Sequence, residues 1–148
     1  MGAPHIADIG KYLKEVACNA GSLVAAGTGD DTALTGATID RLGYGSAVFV
    51  IAYKTTLTAD KTLSFAAEYQ ESADGSSWDT AVAIQASTVA KTGAATNAIG
   101  EVKFDINLEG KKRYIRFNFT PNLSHTSTDT AVVAGTAVLG GADKLPAA

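Results

Sequence analysis

Alternation of apolar and polar residues between positions 46 and 141 constrains the fold of this chain more than any other feature. The run over 62–70 (TLSFAAEYQ) has apolar residues at every second position, and so do the runs over 101–108 and 114–119. A period of two is typical of a β-strand with one buried face. Few residues in this stretch follow a helical period, so the chain is predicted to be all-β.

Several strands joined by turns predict a β-sandwich or jelly roll. The run 46–53 (SAVFVIAY) is apolar on both faces, which indicates a central strand covered on both sides. Asp74-Gly75 predicts a turn after which residues 82–86 return as a strand. The runs 101–108 and 114–119 are predicted to form a hairpin that Pro121 ends, because proline lacks a ladder donor. The predicted core residues are Phe49, Ile51, Phe65, Phe104, Ile106, Ile115 and Phe117.

The N-terminal part carries weaker signals. Apolar residues at spacings of three and four over positions 6–20 predict a short N-terminal helix or an extended arm. This segment either packs on its own domain or docks on a neighbouring subunit. Residues 19–37 are rich in small residues and are predicted to form a long loop with one short strand near residues 22–25. Residues 87–100 are predicted to be a second loop of small residues. We therefore expect an arm and loop region over 1–43 and a β-sandwich over 44–148, within a single domain.

Composition excludes several classes of function. Charged residues make up 18% of the 148 positions and the net charge is −3, so the chain lacks the basic footprint of a nucleic-acid-binding protein. The basic run 111–113 is expected to be a solvated turn. Cys18 is the only cysteine, which excludes an internal disulfide. The longest apolar stretch, 47–53, is far shorter than the ~20 residues of a membrane helix, and without a signal peptide the chain is expected to stay unsecreted.

Residues that carry chemistry are few and scattered. Neither His5 nor His125 has a Cys, His, Asp or Glu neighbour at metal-ligand spacing. The chain has no nucleophile elbow and no phosphate-binding glycine loop. The carboxylates near Asp74 and Asp79 are explained by turn formation. We therefore expect no enzyme activity, no cofactor and no metal.

One local motif involves the single tryptophan. The segment 69–78 (YQESADGSSW) has the S-x-DG-x-x-W pattern of a hairpin that is common in β-sandwich modules. Asp74-Gly75 makes the turn, and Trp78 is expected to fold back over the hairpin as a cap. A surface tryptophan can also stack on a sugar, so a carbohydrate-binding module stays open as an alternative.

Two longer segments carry a family resemblance. They read LTADKTLSFAAEYQESADGSSWDTA and KKRYIRFNFTPNLSHTSTDTAVVAGTAVLGGADKLP, and they resemble capsid cement (decoration) proteins of tailed bacteriophages and prophages. The resemblance covers roughly residues 44–146, and residues 1–43 match nothing nameable. It implies a jelly-roll protein without an active site.

The resemblance also implies a place and partners. Such a protein assembles in the host cytoplasm, lies on the capsid exterior of the virion and ties major capsid subunits together, itself a homodimer or homotrimer. The alternatives are a head-completion or tail protein, or the carbohydrate-binding module. The candidate partner-binding residues are Ile6, Ile9, Leu13 and Trp78, and no nucleic acid or membrane is expected as a partner.

Overall fold

A computed structural model of the chain describes residues 9–124 and 128–143. Four residues singled out by the sequence, His5, Ile6, His125 and Pro146, lie outside the described residues. The described chain contains eight strands and one short 3₁₀ turn, without an α-helix. In chain order the elements are the 3₁₀ turn Ile9–Lys11, β1 (Lys14–Val24), β2 (Ile39–Asp40), β3 (Tyr44–Leu57), β4 (Thr62–Ser72), β5 (Val82–Thr92), β6 (Ala95–Asn107), β7 (Tyr114–Leu123) and β8 (Thr130–Ala142).

The strands form two antiparallel sheets whose orders define a jelly roll. Sheet 1 has the order β1-β8-β3-β6, and sheet 2 has the order β2-β7-β4-β5. The pairs β1–β8, β2–β7, β3–β6 and β4–β5 are those of one long hairpin that turns between β4 and β5. The contacts β3–β8 and β4–β7 roll this hairpin into two sheets. Eight strands arranged in this way are a jelly roll, so the predicted fold class is confirmed.

Only β4 and β5 are both consecutive in the chain and adjacent in a sheet. Their connection contains the predicted turn, in which Gly75 has a φ of 77° that suits glycine. The predicted hairpin between 101–108 and 114–119 is wrong, because β6 pairs with β3 in sheet 1 and β7 pairs with β4 in sheet 2. Alternation reports which face of a strand is buried, and it does not report which strand lies beside it.

The core lies between the two sheets and is built around aromatic rings. Phe49 of β3 stacks on Phe117 of β7, with ring centroids 5.0 Å apart. Phe65 of β4 meets Phe119 of β7 edge to face at 5.8 Å. These contacts join the sheets across the sandwich and add to the burial of apolar area. Each predicted core residue is buried, namely Phe49, Ile51, Phe65, Phe104, Ile106, Ile115 and Phe117.

The predicted N-terminal helix is wrong, because the segment from Lys14 onward is strand β1, paired with β8 over its length. A bulge between Ala17 and Asn19 interrupts the pairing. A bulge places an extra residue in one strand, so apolar residues on the two sides of the bulge no longer keep a period of two. Residues 14–40 thus supply β1 to sheet 1 and β2 to sheet 2.

The predicted loop over 87–100 is also wrong, since it contains parts of β5 and β6, the adjacent edge strands of the two sheets. Most residues of β5 are exposed on both faces, so the strand shows no alternation.

Pro121 does not end β7, which continues to Leu123. The Pro121 carbonyl accepts a hydrogen bond from the Asp31 amide at 2.9 Å. The amide and carbonyl of one residue point to the same side of a strand, so the missing N–H faces this loop rather than β4.

Strand β3 is central, as predicted, but only its inner face is covered. It lies between β8 and β6 in sheet 1. Its inward residues are buried, whereas the outward residues Val48 and Val50 are half-buried and Ala52 is exposed. The prediction of cover on both sides is therefore wrong for the single chain. An apolar sequence on an uncovered face is a feature that monomeric packing leaves unexplained.

The topology gathers three connections at one end of the sandwich, together with the segment that enters β1. Because neighbouring strands are antiparallel, the connections β2–β3 (41–43), β4–β5 (73–81) and β6–β7 (108–113) lie at the same end as Ile9–Leu13. We call this the terminal end. Hydrogen bonds confirm the grouping, since the Arg41 amide donates to the Arg113 carbonyl at 3.0 Å.

The aromatic core generates a stability prediction. Phe117→Ala removes a fully buried ring that stacks on Phe49, and we expect it to lower the free energy of unfolding by about 3–5 kcal/mol. Val89→Ala is the matched control, because Val89 is 56% exposed on the edge strand β5 and its truncation is expected to change stability by less than about 0.5 kcal/mol. Urea unfolding followed by circular dichroism measures both. Equal effects of the two substitutions would contradict the described core.

Cys18 generates a prediction about alkaline pH. Burial raises the pKa of the Cys18 thiol to about 11, partly offset by a hydrogen bond with the Ala137 backbone. An unfolded thiol ionises near pH 8.5. The folded protein therefore keeps its full stability below that pH and loses up to about 1.4 kcal/mol per pH unit from there to the folded pKa. Urea midpoints between neutral pH and pH ~10.5 are expected to fall more steeply for the native chain than for Cys18→Ala, and parallel curves would show that the thiol is not buried.

Candidate interaction surface

The structure places the candidate partner-binding residues that it describes at the terminal end. Ile9 is 66% exposed, and Leu13 lies half-buried in a groove that Gly140 also lines. Leu42, in the short β2–β3 connection, is also 66% exposed. Sequence reasoning missed Leu42, although a leucine directly before a glycine turn is a detectable signal. Ile6 lies outside the described residues.

The basic run at the terminal end is neutralised by carboxylates. Lys112 Nζ lies 2.7 Å from Asp79 Oδ2, and Arg113 lies 2.7 Å from an oxygen of Asp40. The hydrogen bond from Arg113 lowers the pKa of the Asp40 carboxyl. Lys111 donates to the Tyr69 hydroxyl at 2.6 Å, and this bond is the main cause that raises the pKa of the Lys111 ammonium. These exposed pairs orient the turn and contribute little to stability.

Asp74 organises the turn that carries Trp78. Its Oδ1 accepts hydrogen bonds from the backbone amides of Ser76 and Ser77, both at 2.8 Å, and from the Ser72 hydroxyl at 2.9 Å. The backbone amides, Ser77 first, hold the pKa of the Asp74 carboxyl well below its ordinary value. The stabilisation by this carboxylate is therefore present above the unfolded pKa of about 3.9 and is lost in more acidic solution.

Trp78 is half-buried and caps the polar outer face of sheet 2. The Arg116 guanidinium carbon lies 4.3 Å from the centroid of the indole, a cation–π geometry. Arg116 Nε donates to Gln70 Oε1 at 2.9 Å, and Asn118 Nδ2 donates to the same oxygen at 3.0 Å. Asn118 Oδ1 in turn accepts from the Gly36 amide at 3.0 Å. The outer face of sheet 2 is thus occupied by polar groups that satisfy one another.

The outer face of sheet 1 is different, because it is apolar and uncovered. Of the seven large exposed hydrophobic residues in the described part of the chain, three lie on it, in β1, β8 and β6. Half-buried valines of β3 and β8 continue the same surface. We call this the valine face and define it by Val24, Val48, Val50, Val132, Val138 and Ile99. Small residues such as Ala52 and Ala134, opposite each other in the ladder, keep its centre flat.

Charged residues lie mainly along the edges of the valine face, and one, Lys54, is exposed on its central strand β3. On β6 the outward residues are Glu101, Lys103 and Asp105, which alternate in sign. Towards the terminal end, the face deepens into a groove of about 550 Å³ that Leu13, Val48 and Val138 line. A flat apolar centre with a charged rim is the usual anatomy of a protein–protein interface.

The described residues do not gather metal ligands at one place. Within 9–124 and 128–143, no three His, Cys, Asp or Glu side chains form a cluster that could hold a metal ion. In the same residues, no helix is long and apolar enough to cross a membrane. The surfaces that remain to be explained are the terminal end and the valine face.

No protein-family model and no curated protein sequence matches this chain. Among solved structures, it is similar to infectious bursal disease virus derived T=1 particles, with a TM-score of 0.55, 13% identity, and coverage of 88% of this chain and 31% of that one. It is also similar to the VP2 subviral particle of that virus, with a TM-score of 0.52, 10% identity, and coverage of 88% and 33%. The Gt strain structure gives a TM-score of 0.52, 11% identity, and coverage of 86% and 32%.

These likenesses show that the chain shares its jelly-roll fold with part of a viral capsid protein. The chain spans about a third of the length of the chains it matches. At this level of identity, the comparison shows the fold alone. The surfaces of this chain therefore have to be interpreted from its own residues.

The Asp74 turn generates a prediction that uses Trp78 as the only tryptophan of the chain. Asp74→Ala removes the acceptor for the Ser76 and Ser77 amides, so we expect the turn to loosen and the Trp78 fluorescence to shift to the red. Asp105→Ala is the control, since Asp105 is an exposed carboxylate on the other sheet. Emission spectra at neutral pH measure the effect. An unchanged spectrum in Asp74→Ala would show that the turn does not hold the indole in place.

Proposed function

We propose that this protein is a virion structural component that binds the outer surface of a tailed-phage capsid and stabilises it by tying major capsid subunits together. Such a protein assembles onto particles in the host cytoplasm and needs no cofactor or catalytic residue. The observation that carries the proposal is a jelly roll, of a fold shared with part of a viral capsid protein. Among its described residues, five of the seven large exposed hydrophobic side chains lie at one end or on one face. The resemblance of residues 44–146 to phage cement proteins supports the same role.

The terminal end is the surface that we assign to the capsid. Ile9 and Leu42 expose large apolar side chains there, and the neighbouring basic run is already paired with carboxylates. A contact at this end would bury apolar area without having to neutralise a surplus of charge. Burial of one leucine or isoleucine side chain contributes about 1.5–3 kcal/mol. Repetition over a symmetric shell strengthens such contacts.

Sugar binding through Trp78 is less well supported. Arg116 stacks on the indole, and that face of the ring is therefore not open to a sugar. A head-completion or tail role predicts a few copies per particle, whereas a protein that ties capsid subunits is present in a number fixed by the symmetry of the shell. Copy number therefore separates these alternatives from the proposed function.

The test uses phage particles from which this protein has been removed. Adding back the full chain is expected to restore a symmetry-related number of copies and to raise the temperature at which the particles release DNA. Leu42→Asp and Ile9→Asp are each expected to weaken binding about tenfold or more, because each places a charge in an apolar contact.

Val89→Asp is the matched control, since Val89 is 56% exposed but lies on the edge strand β5. It is expected to bind as the native chain does. Binding of only a few copies, or particles that are equally heat-stable without the protein, would overturn the proposed function. If Val89→Asp alone abolished binding, the capsid contact would belong to the β5 edge and not to the terminal end.

A further inference from the structure

We propose that the valine face packs against the valine face of a second copy of this chain, so that the protein is a two-fold dimer joined sheet to sheet. The proposal concerns a different surface from the terminal end, and it holds whether or not the protein binds a capsid. Four observations carry it: the apolar pattern of β3, the area of the face, its shape and the charges at its margin.

The first observation is the pattern of β3. The run 46–53 is apolar at outward as well as inward positions, and that composition is typical of a strand buried on both faces. Inside the single chain, only the inner face of β3 is buried, by Phe49 and Ile51 among others. The outer face of sheet 2 shows the contrast, because its centre is a network of Gln70, Arg116 and Asn118. The sequence therefore indicates that the outer face of sheet 1, and not that of sheet 2, is buried against another protein surface.

The second observation is area. With strands about 4.8 Å apart and a rise of about 3.4 Å per residue, four strands over the length of 46–56 span roughly 650 Å². Two such faces together would bury roughly twice that area, and stable specific interfaces bury about 1,200–2,000 Å². The face is therefore large enough for a stable dimer without any other surface.

The third observation is shape. Sheets twist with one hand, and two stacked sheets pack with their strands within about 30° of each other. A second copy carries the same twist, so its sheet 1 matches the curvature of the first. Residues at the centre are small, with Val50 opposite Thr136 and Ala52 opposite Ala134 in neighbouring rows, so the two sheets can approach closely.

The fourth observation is charge, and it fixes the two-fold axis. Lys103 of β6 lies opposite Val50 of β3, in the same row of residues across the sheet. Glu101 lies opposite Ala52, in the next outward-facing row. We consider a two-fold axis that lies in the interface plane, runs across the strands and passes between these two rows. This axis places Lys103 of each copy over Glu101 of the other copy. The contact occurs twice, and within the described residues neither Lys103 nor Glu101 is joined to another side chain by an ion pair.

The same axis also sets the register of the other outward residues. It places Val50 over Ala52 and Val138 over Val132 of the second copy, since these residues lie in rows at equal distances from the axis.

The axis also places Lys54 over Val48 of the second copy, and Asp105 over Ile99. The aliphatic stem of Lys54 then packs on Val48, and its ammonium points towards Asp105 on the adjacent strand of that copy. Isologous packing of this kind is the commonest form of homo-oligomer. The geometry therefore points to a particular register, which substitutions can test.

The experiment measures the mass of the full chain by sedimentation and light scattering, without particles, up to about 50 µM, because interfaces of this size bind with micromolar or tighter affinity. We expect a dimer. Val50→Asp is expected to weaken it about 100-fold or more, since each copy would bury an unpaired charge. Val89→Asp, on the β5 edge, is the matched control and is expected to leave the dimer unchanged. Circular dichroism verifies that both variants fold.

Charge exchange tests the register with variants whose changes are confined to exposed positions. Glu101→Lys and Lys103→Glu are each expected to weaken the dimer about three- to tenfold, because both reciprocal pairs become like charges. The double variant with both changes restores the opposite charges and is expected to dimerise like the native chain.

Each other result would overturn the proposal. A monomer or a trimer at the highest concentration contradicts a two-fold dimer. Loss of the dimer in Val89→Asp but not in Val50→Asp would assign the interface to the β5 edge. Single charge variants without effect, or a double variant that stays weak, would show that Lys103 does not face Glu101 of a second copy. Because no particle is present, none of these results depends on the proposed capsid role.

Discussion

The stack of Phe49 on Phe117 is the contact on which the rest of the structure depends. It joins the centre of β3 in sheet 1 to the centre of β7 in sheet 2, with ring centroids 5.0 Å apart. Both strands are held on two sides by hydrogen-bonded neighbours, so the stack fixes the relative position of all four strand pairs. Tyr53 completes this connection at the edge, where its hydroxyl donates to the Ala90 carbonyl of β5 at 2.9 Å. The Tyr53 hydroxyl lies directly over Gly100, where the Cβ of any other residue would clash with the hydroxyl oxygen.

Sequence reasoning succeeded where one strand, by itself, determines its own pattern. The residues that were predicted to be buried in β3, β4, β6 and β7 are buried, because alternation reflects the environment of a single strand. Sequence reasoning failed where a neighbour decides. The strand that follows β6 in the chain lies in the other sheet, and the partner of β1 is β8, from the opposite end of the chain. Pairing of residues so distant in sequence leaves no local signal in either segment.

The remaining errors have local causes. The bulge at Ala17 and Asn19 changed the spacing of apolar residues in β1 so that it imitated a helix. Strand β5 has few buried residues, so its sequence resembles a loop.

The same limit of local patterns applies to the candidate surface residues. Ile9, Leu13 and Trp78 stood out as residues, but their meeting at the terminal end with Leu42 follows from strand direction, which a single segment does not reveal.

The expectation that β3 is covered on both sides is wrong for the single chain, and it becomes informative when the chain is considered in an assembly. A protein that ties subunits together needs at least two separate surfaces, since one surface can only coat its partner. The terminal end and the valine face lie on different sides of the sandwich, one at the ends of the strands and the other across a sheet. The two-fold axis across the strands directs the terminal ends of the two copies in opposite directions, so a dimer presents one terminal end to each of two partners. In this view, the outward valines of β3 serve the connection between copies, and the inward phenylalanine of the same strand serves the fold.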